Sequence, residues 1–282
     1  MIFPNPVEWL LVLHAYRVRV GRFPNLLRPR TFGEKMQVAK LTWRTPMMPL
    51  LADKVRVKDI VAGRLGAEWV TPTLFAGASL PPREDRVWPL PYVIKANNSS
   101  GANIFVRTED DINWERIEQS VQSWMSRRNE RLGEWAYKDI PPQVLVEPLA
   151  GGSTPKLEYK LFCFGGRVEF IEVHLRHKGG RRECANMDRD WVQHPFTLKI
   201  PMPKDPPPRP VSLDEMIRGA ERLAEGFPFV RIDLYEVDGR PRFGEVTFYP
   251  ASGFINPSPP EYDRTYGDLW PPGMPTGKAA GL

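Results

Sequence analysis

Two acidic residues within FVRIDLYEVDGRPRFGEVTFYPASGF carry the first chemical signal. Strand alternation sets Val230, Ile232 and Leu234 on one face and Arg231, Asp233 and Tyr235 on the other, and it sets Glu245 and Thr247 together on the returning strand. Carboxylates brought face to face repel unless a cation lies between them, and an all-oxygen donor set suits Mg²⁺ rather than Zn²⁺. Whether they meet depends on the connecting loop. An odd number of residues sets Asp233 opposite Glu245, whereas a strict two-residue turn at Asp238-Gly239 sets them on opposite faces. Arg231 beside them can offset the acidic charge or hold an anionic oxygen. The same alternation also describes the solvated face of an ordinary hairpin with Arg–Asp pairing.

Three further segments carry groups suited to phosphate. VIKANNSSGANIFV reads as a strand ending in Lys95, a small-residue loop and a second strand. Such a loop can aim backbone N–H groups and the Ser99 and Ser100 hydroxyls at phosphate oxygens, with Gly101 allowing close approach and Lys95 supplying a point charge. It is not a P-loop, because the Gly-Lys-Ser/Thr ending and the following helix are both missing. LVEPL sets Glu147 at a strand end, and EYKLFCF sets Lys160 within a strand, where it either snorkels or aims at a phosphate. His174 and His177, beside a basic loop from Arg176 to Arg182, are acid/base candidates or plain surface imidazoles.

The elements that must position these groups follow from pattern. Residues 7–65 read as short helices, the second opened by a Thr31/Glu34 capping box and the third running from about Pro49 to Leu65. Tyr92–Ile94, Ile104–Val106 and Val144–Val146 read as strands. A helix carrying Ile117, Val121, Trp124 and Met125 on one face lies between the last two. Gly165-Gly166 joins Tyr159–Phe164 to Val168–Val173 in a tight hairpin. Residues 201–210, six of them proline, form an extended spacer before a helix opened by Ser212 and Glu215 and stopped at Gly226. Strands at Phe229–Tyr235 and Arg242–Phe248 follow, then a Pro-rich tail past Pro257 expected to lie on the surface or move.

Composition bounds the function. The 282 residues, 41% hydrophobic and 26% charged, suit two domains or one large α/β domain, and there is no apolar run of the roughly 18 residues that a membrane span needs. The apolar stretch near the N-terminus is interrupted by Glu8, His14 and Arg17 and lacks a basic leader, so a cytoplasmic chain is expected. Cys163 and Cys184 are too few for a disulfide framework and are expected to be reduced and structural. A net charge of +5, with no recognised motif, argues against nucleic acid as the partner. The charge is uneven, with 12 Lys/Arg against 4 Asp/Glu in residues 1–64, which points to an anionic partner or a peripheral contact at that end.

The order of these motifs resembles the ATP-grasp superfamily, and most closely its TupA-like branch of teichuronopeptide biosynthesis. The resemblance runs from TFGEKMQVAKL through ADKVRVKDIV, the lysine strand, EYKLFCFGG and FPFVRIDLYEVDG to FGEVTFYPASGF. It implies an α+β ATP-grasp fold, with two α+β subdomains at residues 69–150 and 151–256 gripping ATP. A basic helical region at residues 1–68 precedes them and a tail at 257–282 follows. It further implies that Lys95 and Lys160 contact the phosphates under a flexible loop of Ser99, Ser100 and Gly101. Glu147 to Leu149 would hold the adenine and ribose, Asp233, Glu245 and Thr247 would bind Mg²⁺, and Arg231 would stabilise developing charge. Thr247 stands where the wider superfamily has Asn, and Asn98 and Ser99 stand where the branch usually has His and Gly.

The activity so implied is an ATP-dependent carboxylate–amine ligase acting through an acylphosphate, in bacterial surface-polysaccharide or secondary-metabolite synthesis. Arg176, Arg181, Arg182, Ser252 and Gly253 are the candidate contacts for an anionic substrate. Two alternatives share the nucleotide site: a kinase phosphorylating a sugar or other small molecule, and a non-catalytic nucleotide-binding scaffold.

Overall fold

Short apolar alternations between glycine and proline breaks build two antiparallel sheets. The computed structural model describes residues 6–126, 133–149, 151, 157–177, 180–198 and 200–272. The smaller sheet has the order β1-β4-β2-β3, from β1 (Phe75–Gly77), β2 (Tyr92–Ala96), β3 (Asn103–Val106) and β4 (Val144–Pro148). The larger has the order β10-β9-β5-β6-β7-β8, from β5 (Leu157–Phe164), β6 (Arg167–Arg176), β7 (Arg182–Met187), β8 (Gln193–His194), β9 (Phe229–Val237) and β10 (Arg240–Thr247). The helices are α1 (Pro6–Val20), α2 (Phe32–Thr42), α3 (Met47–Ala52), α4 (Val57–Leu65), α5 (Trp114–Ser126), α6 (Trp135–Lys138), α7 (Leu213–Ala224) and α8 (Glu261–Leu269).

Each sheet buries one face and leaves the other for chemistry. Tyr92, Ile94, Val106, Val144 and Val146 pack on Ile117 and Val121 of α5, so Val93, Lys95, Leu145 and Glu147 turn the opposite way. In the larger sheet Leu161, Val230, Ile232 and Leu234 join a core with Met216, Ala220 and Leu223 of α7, leaving Lys160, Arg231 and Asp233 on the far face. Burying each large side chain of α7 stabilises the fold by about 1.5–3 kcal/mol. The helix lies close enough that a Cβ on Gly219 would run into the ring of Trp69.

The Thr31/Glu34 capping box forms as the sequence predicts. So does the hairpin at Gly165-Gly166, whose φ values are 57° and 82°. Three expectations are corrected. The helix expected from Pro49 to Leu65 is two helices, because Asp53 is extended and its Oδ1 accepts the Val55 N–H at 2.9 Å. Ser212 does not close a capping box with Glu215. Its N–H and hydroxyl both donate to Glu236 Oε2, at 2.8 and 2.7 Å. The chain past Pro257 is not a surface tail as far as residue 272, since α8 buries Tyr266 and is followed by buried Trp270. Asp263 Oδ1 also accepts the Gly33 N–H at the start of α2, at 2.9 Å. Residues 273–282 lie outside the described residues.

Candidate active site

The register of the β9–β10 hairpin decides whether the two carboxylates meet. The turn is the strict two-residue one, Asp238-Gly239 at φ 53° and 71°, with Val237 paired to Arg240. That parity alone would send Glu245 to the core face. A bulge between Phe243 and Glu245 adds one residue to β10, and Glu245 then pairs directly with Asp233, and Thr247 with Arg231. Gly244 occupies the bulge, where a Cβ would lie 2.9 Å from both the Asp233 carbonyl oxygen and the Tyr235 ring.

Around this pair the charges interlock. Arg231 donates through Nε to Asp233 Oδ1 at 2.6 Å and through Nη2 to Asp233 Oδ2 at 2.7 Å, with longer contacts from Nη2 to Glu245 Oε1 and Thr247 Oγ1. Lys160 donates to Asp233 Oδ2 at 3.2 Å and lies 3.5 Å from Glu158. Burial opposes charge at Glu245, but Lys54, Arg231 and Lys160 together hold its carboxyl at about 2. Burial would likewise disfavour the charged Lys160, but Asp233, Glu158 and Glu245 together outweigh it, so the ammonium is held above its usual value.

The smaller sheet presents a matching wall. Glu147, buried on β4, lies between the ammonium groups of Lys58 and Lys95, the latter at 2.6 Å. Burial alone would raise its carboxyl; Lys95 and Lys58 outweigh this and keep it below the usual range. With both oxygens engaged, Glu147 fixes the two lysines along the wall. The small-residue loop leaves β2 through Asn97, whose fully buried amide donates to Asp53 Oδ1 and the Pro141 carbonyl and accepts from the Gln143 N–H. Lys54 donates to the Ser99 carbonyl at 3.0 Å and lies 3.5 Å from Glu245, linking the loop to the carboxylates.

These two walls enclose a cleft of about 490 Å³. Lys95, Ser99, Ser100, Gly101, Glu147, Leu149, Lys160 and Glu245 line it together with Arg176 and Arg182, so six basic side chains face three acidic ones. A second cavity of about 660 Å³ shares Lys54, Ser99, Ser100 and Glu245 with the cleft and adds Arg19, Tyr137, Arg231, Thr247 and Ser252. Ser252 lies in a turn where both it and Ala251 have positive φ. Fully buried Lys40 of α2 holds this turn by donating to the Ser252 carbonyl at 2.9 Å.

Not every expected residue comes to the site. Arg181 is exposed and pairs with Glu183, and His177 also pairs with Glu183, outside the cleft. Gly253 packs beneath the turn against Met36 and Gln37. Asp233 lies behind Arg231 and Lys160 and reaches neither cavity wall. Lys54, Lys58, Asn97 and Glu158 are additions. The four-residue spacing of the two lysines in ADKVRVKDI, and the alternation that sets Glu158 beside Lys160, were the available signals. The oxygens of Glu245 and Thr247, which line the 660 Å³ cavity, are of the kind that suits a hard divalent cation, whereas both Asp233 oxygens are taken by Arg231 and Lys160.

The model of the TupA-like ATPgrasp family matches residues 34–270. No protein of curated function matches the chain in sequence. Among solved structures the chain is similar to the L-amino acid ligase from Bacillus licheniformis, at 14% identity, TM-score 0.46, covering 78% of this chain and 49% of that one. It is similar to the D-alanine–D-alanine ligase from Bacillus anthracis at 15% identity, TM-score 0.43, covering 76% and 63%. Similarity to N5-carboxyaminoimidazole ribonucleotide synthetase from Thermus thermophilus is 18% in identity, TM-score 0.39, covering 88% and 53%. The chain thus spans from about half to just under two thirds of the length of these structures.

Proposed function

The chain belongs to the TupA-like ATP-grasp family, and from that premise we propose that it is an ATP-dependent carboxylate–amine ligase working through an acylphosphate. The observation that carries this reading is the cleft between the two sheets, with six basic against three acidic side chains, which ends at Glu245. A net positive, partly dehydrated lining is what a triphosphate requires.

Lys95 and Lys58, oriented by Glu147, would bind the phosphates from the small-sheet side and Lys160 from the large-sheet side. Backbone N–H groups of Ser99 to Gly101 would cover them. Glu245 and Thr247 would hold Mg²⁺, with Asp233 joining them once its oxygens leave Arg231 and Lys160, and the ion when bound would neutralise phosphate charge. Because the 660 Å³ cavity shares Glu245, Lys54 and the loop with the cleft, a carboxylate held there by Arg19 and Arg231 would sit beside the transferred phosphoryl group. Its oxygen attacks the γ-phosphorus and ADP leaves; an amine then attacks the acyl carbon, releasing phosphate and a proton. The substrates we infer are a uronic acid or other glycan or metabolite carboxylate and an amine or amino acid, joined in the cytoplasm during surface-polysaccharide or secondary-metabolite synthesis.

Calorimetry of Mg²⁺-dependent ATP binding, on the wild type and on Glu245→Gln combined with Asp233→Asn, tests the site. Binding in the wild type and its loss in the double variant are expected. ADP release with a panel of acids and amines, followed by mass spectrometry, tests the chemistry. An amide supports the ligase; a phosphate ester as the only product, or no ATP binding by folded wild type, overturns it.

A further inference from the structure

One face of β6 and β7 carries three side chains that the nucleotide reading does not use. Glu172 and His174, two residues apart on β6, share a face with Cys184, which pairs directly with His174 across the ladder. Their ligating atoms all lie within 4.8 Å of one another, and His174 Nε2 is 3.0 Å from Glu172 Oε2. All three line a separate cavity of about 220 Å³, which is also lined by Leu198, Phe254 and Ile255. Asn186, opposite Glu172 in the register, is fully buried; its Nδ2 donates to the Phe196 carbonyl and its Oδ1 has no hydrogen-bond partner among the described residues. The two cations on the cavity wall are already balanced, Lys160 by Asp233 and Glu158, and Arg231 by Asp233 and Glu245.

A thiol, an imidazole and a carboxylate form a softer donor set than the oxygens of Asp233, Glu245 and Thr247, and the presence of sulfur selects zinc-like cations over Mg²⁺. We propose that Glu172, His174 and Cys184 form a binding site for one Zn²⁺-class cation, with the fourth coordination position facing the 220 Å³ cavity. On binding, the Cys184 thiol releases its proton to solvent, and the thiolate and the Glu172 carboxylate balance the charge of the dication. Three protein ligands leave one position for a water or a substrate donor atom, and the Asn186 carbonyl next to Glu172 is an acceptor for a bound water. Arg231, Pro250 and Ala251 line both this cavity and the 660 Å³ one, so a ligand held by the cation would lie against the same wall as the carboxylate substrate.

Co²⁺ titration of the full chain, stripped with chelator and free of nucleotide and Mg²⁺, is the test. One equivalent should bind, with a thiolate-to-cobalt charge-transfer band in the near ultraviolet and the strong visible bands of four-coordinate cobalt, both abolished by Zn²⁺. Cys184→Ser should lose the charge-transfer band, and Cys163→Ser, which removes the chain's other thiol, should keep it. Glu172→Gln should keep the band and weaken Co²⁺ binding by at least about tenfold. The Asp233→Asn, Glu245→Gln double variant should keep the band, whatever becomes of ATP binding. No charge-transfer band in folded wild type, a band that survives in Cys184→Ser, or one that disappears in Cys163→Ser overturns the proposal. The Cys163→Ser arm remains decisive if Cys184→Ser fails to fold.

Discussion

Raising the pH from 7 to 10 should stabilise the wild type relative to Lys40→Met by about 2–3 kcal/mol. Lys40 is fully buried under the Ser252 turn, and burial lowers its ammonium to about 8 despite nearby Glu134. In the unfolded chain the same group titrates at its ordinary value of 10.5. Its folded value is the lower one, so between about 8 and 10.5 the unfolded state binds more protons and stability rises with pH; below that window the cost of burying the charge is present in full. A full shift of this size corresponds to about 3 kcal/mol, most of it expressed by pH 10. The raised tyrosines Tyr16 and Tyr159, each pushed up to about 12 mainly by burial, act in the opposite direction as the unfolded chain ionises near pH 10. They are common to both proteins and cancel in the difference. Urea unfolding of wild type and Lys40→Met at unit steps of pH measures that difference. Parallel profiles from pH 7 to 10, or a difference that narrows as pH rises from a wild-type advantage, would refute a charged lysine held beneath the Ser252 turn.

Gly244→Ala should lose about 1–3 kcal/mol in urea unfolding, as overpacking does, and should weaken Mg²⁺-dependent ATP binding because the bulge aligns Glu245 with Asp233; unchanged binding would detach the bulge from the site. Asn97→Ala leaves the Gln143 N–H and Pro141 carbonyl without their partner and should cost about 2–3 kcal/mol, with faster amide exchange confined first to residues 98–101. Gly219→Ala should cost about 1–3 kcal/mol through the Trp69 contact and leave ATP affinity unchanged, read by calorimetry alongside urea unfolding.

What the sequence disclosed follows from which interactions are local. The faces of β9 were legible because alternation depends only on neighbours, so Arg231 and Asp233 fell on one side as expected; the β5–β9 register, which sets Lys160 opposite Asp233, is what adds the lysine to that side. The Asp233–Glu245 pairing stayed open at that level. Its answer is the bulge at Gly244, and one glycine in a strand does not announce which residue pairs across it. Lys54 and Lys58 depend on the break at Asp53, whose carboxylate meets Asn97 from 44 positions away. Ser212 has the right spacing to Glu215, yet Glu236 takes its donors, a partner brought up only by tertiary packing. The prolines after residue 257 masked α8, where Tyr266, like Trp270 just beyond the helix, is buried with aromatic contacts to Phe164 and Phe229.

The Asp263–Gly33 hydrogen bond gives the fold a direction in time. Among the described elements α8 is the last to leave the ribosome, while α2, which it caps, is among the first. Until then Phe32, Phe164 and Phe229 lack Trp270, the indole that all three contact. A nascent chain stopped before residue 261 therefore carries an open aromatic surface of the kind chaperones and proteases recognise. Docking of this last described helix therefore closes the aromatic core only after every residue lining the cleft between the two sheets has been made.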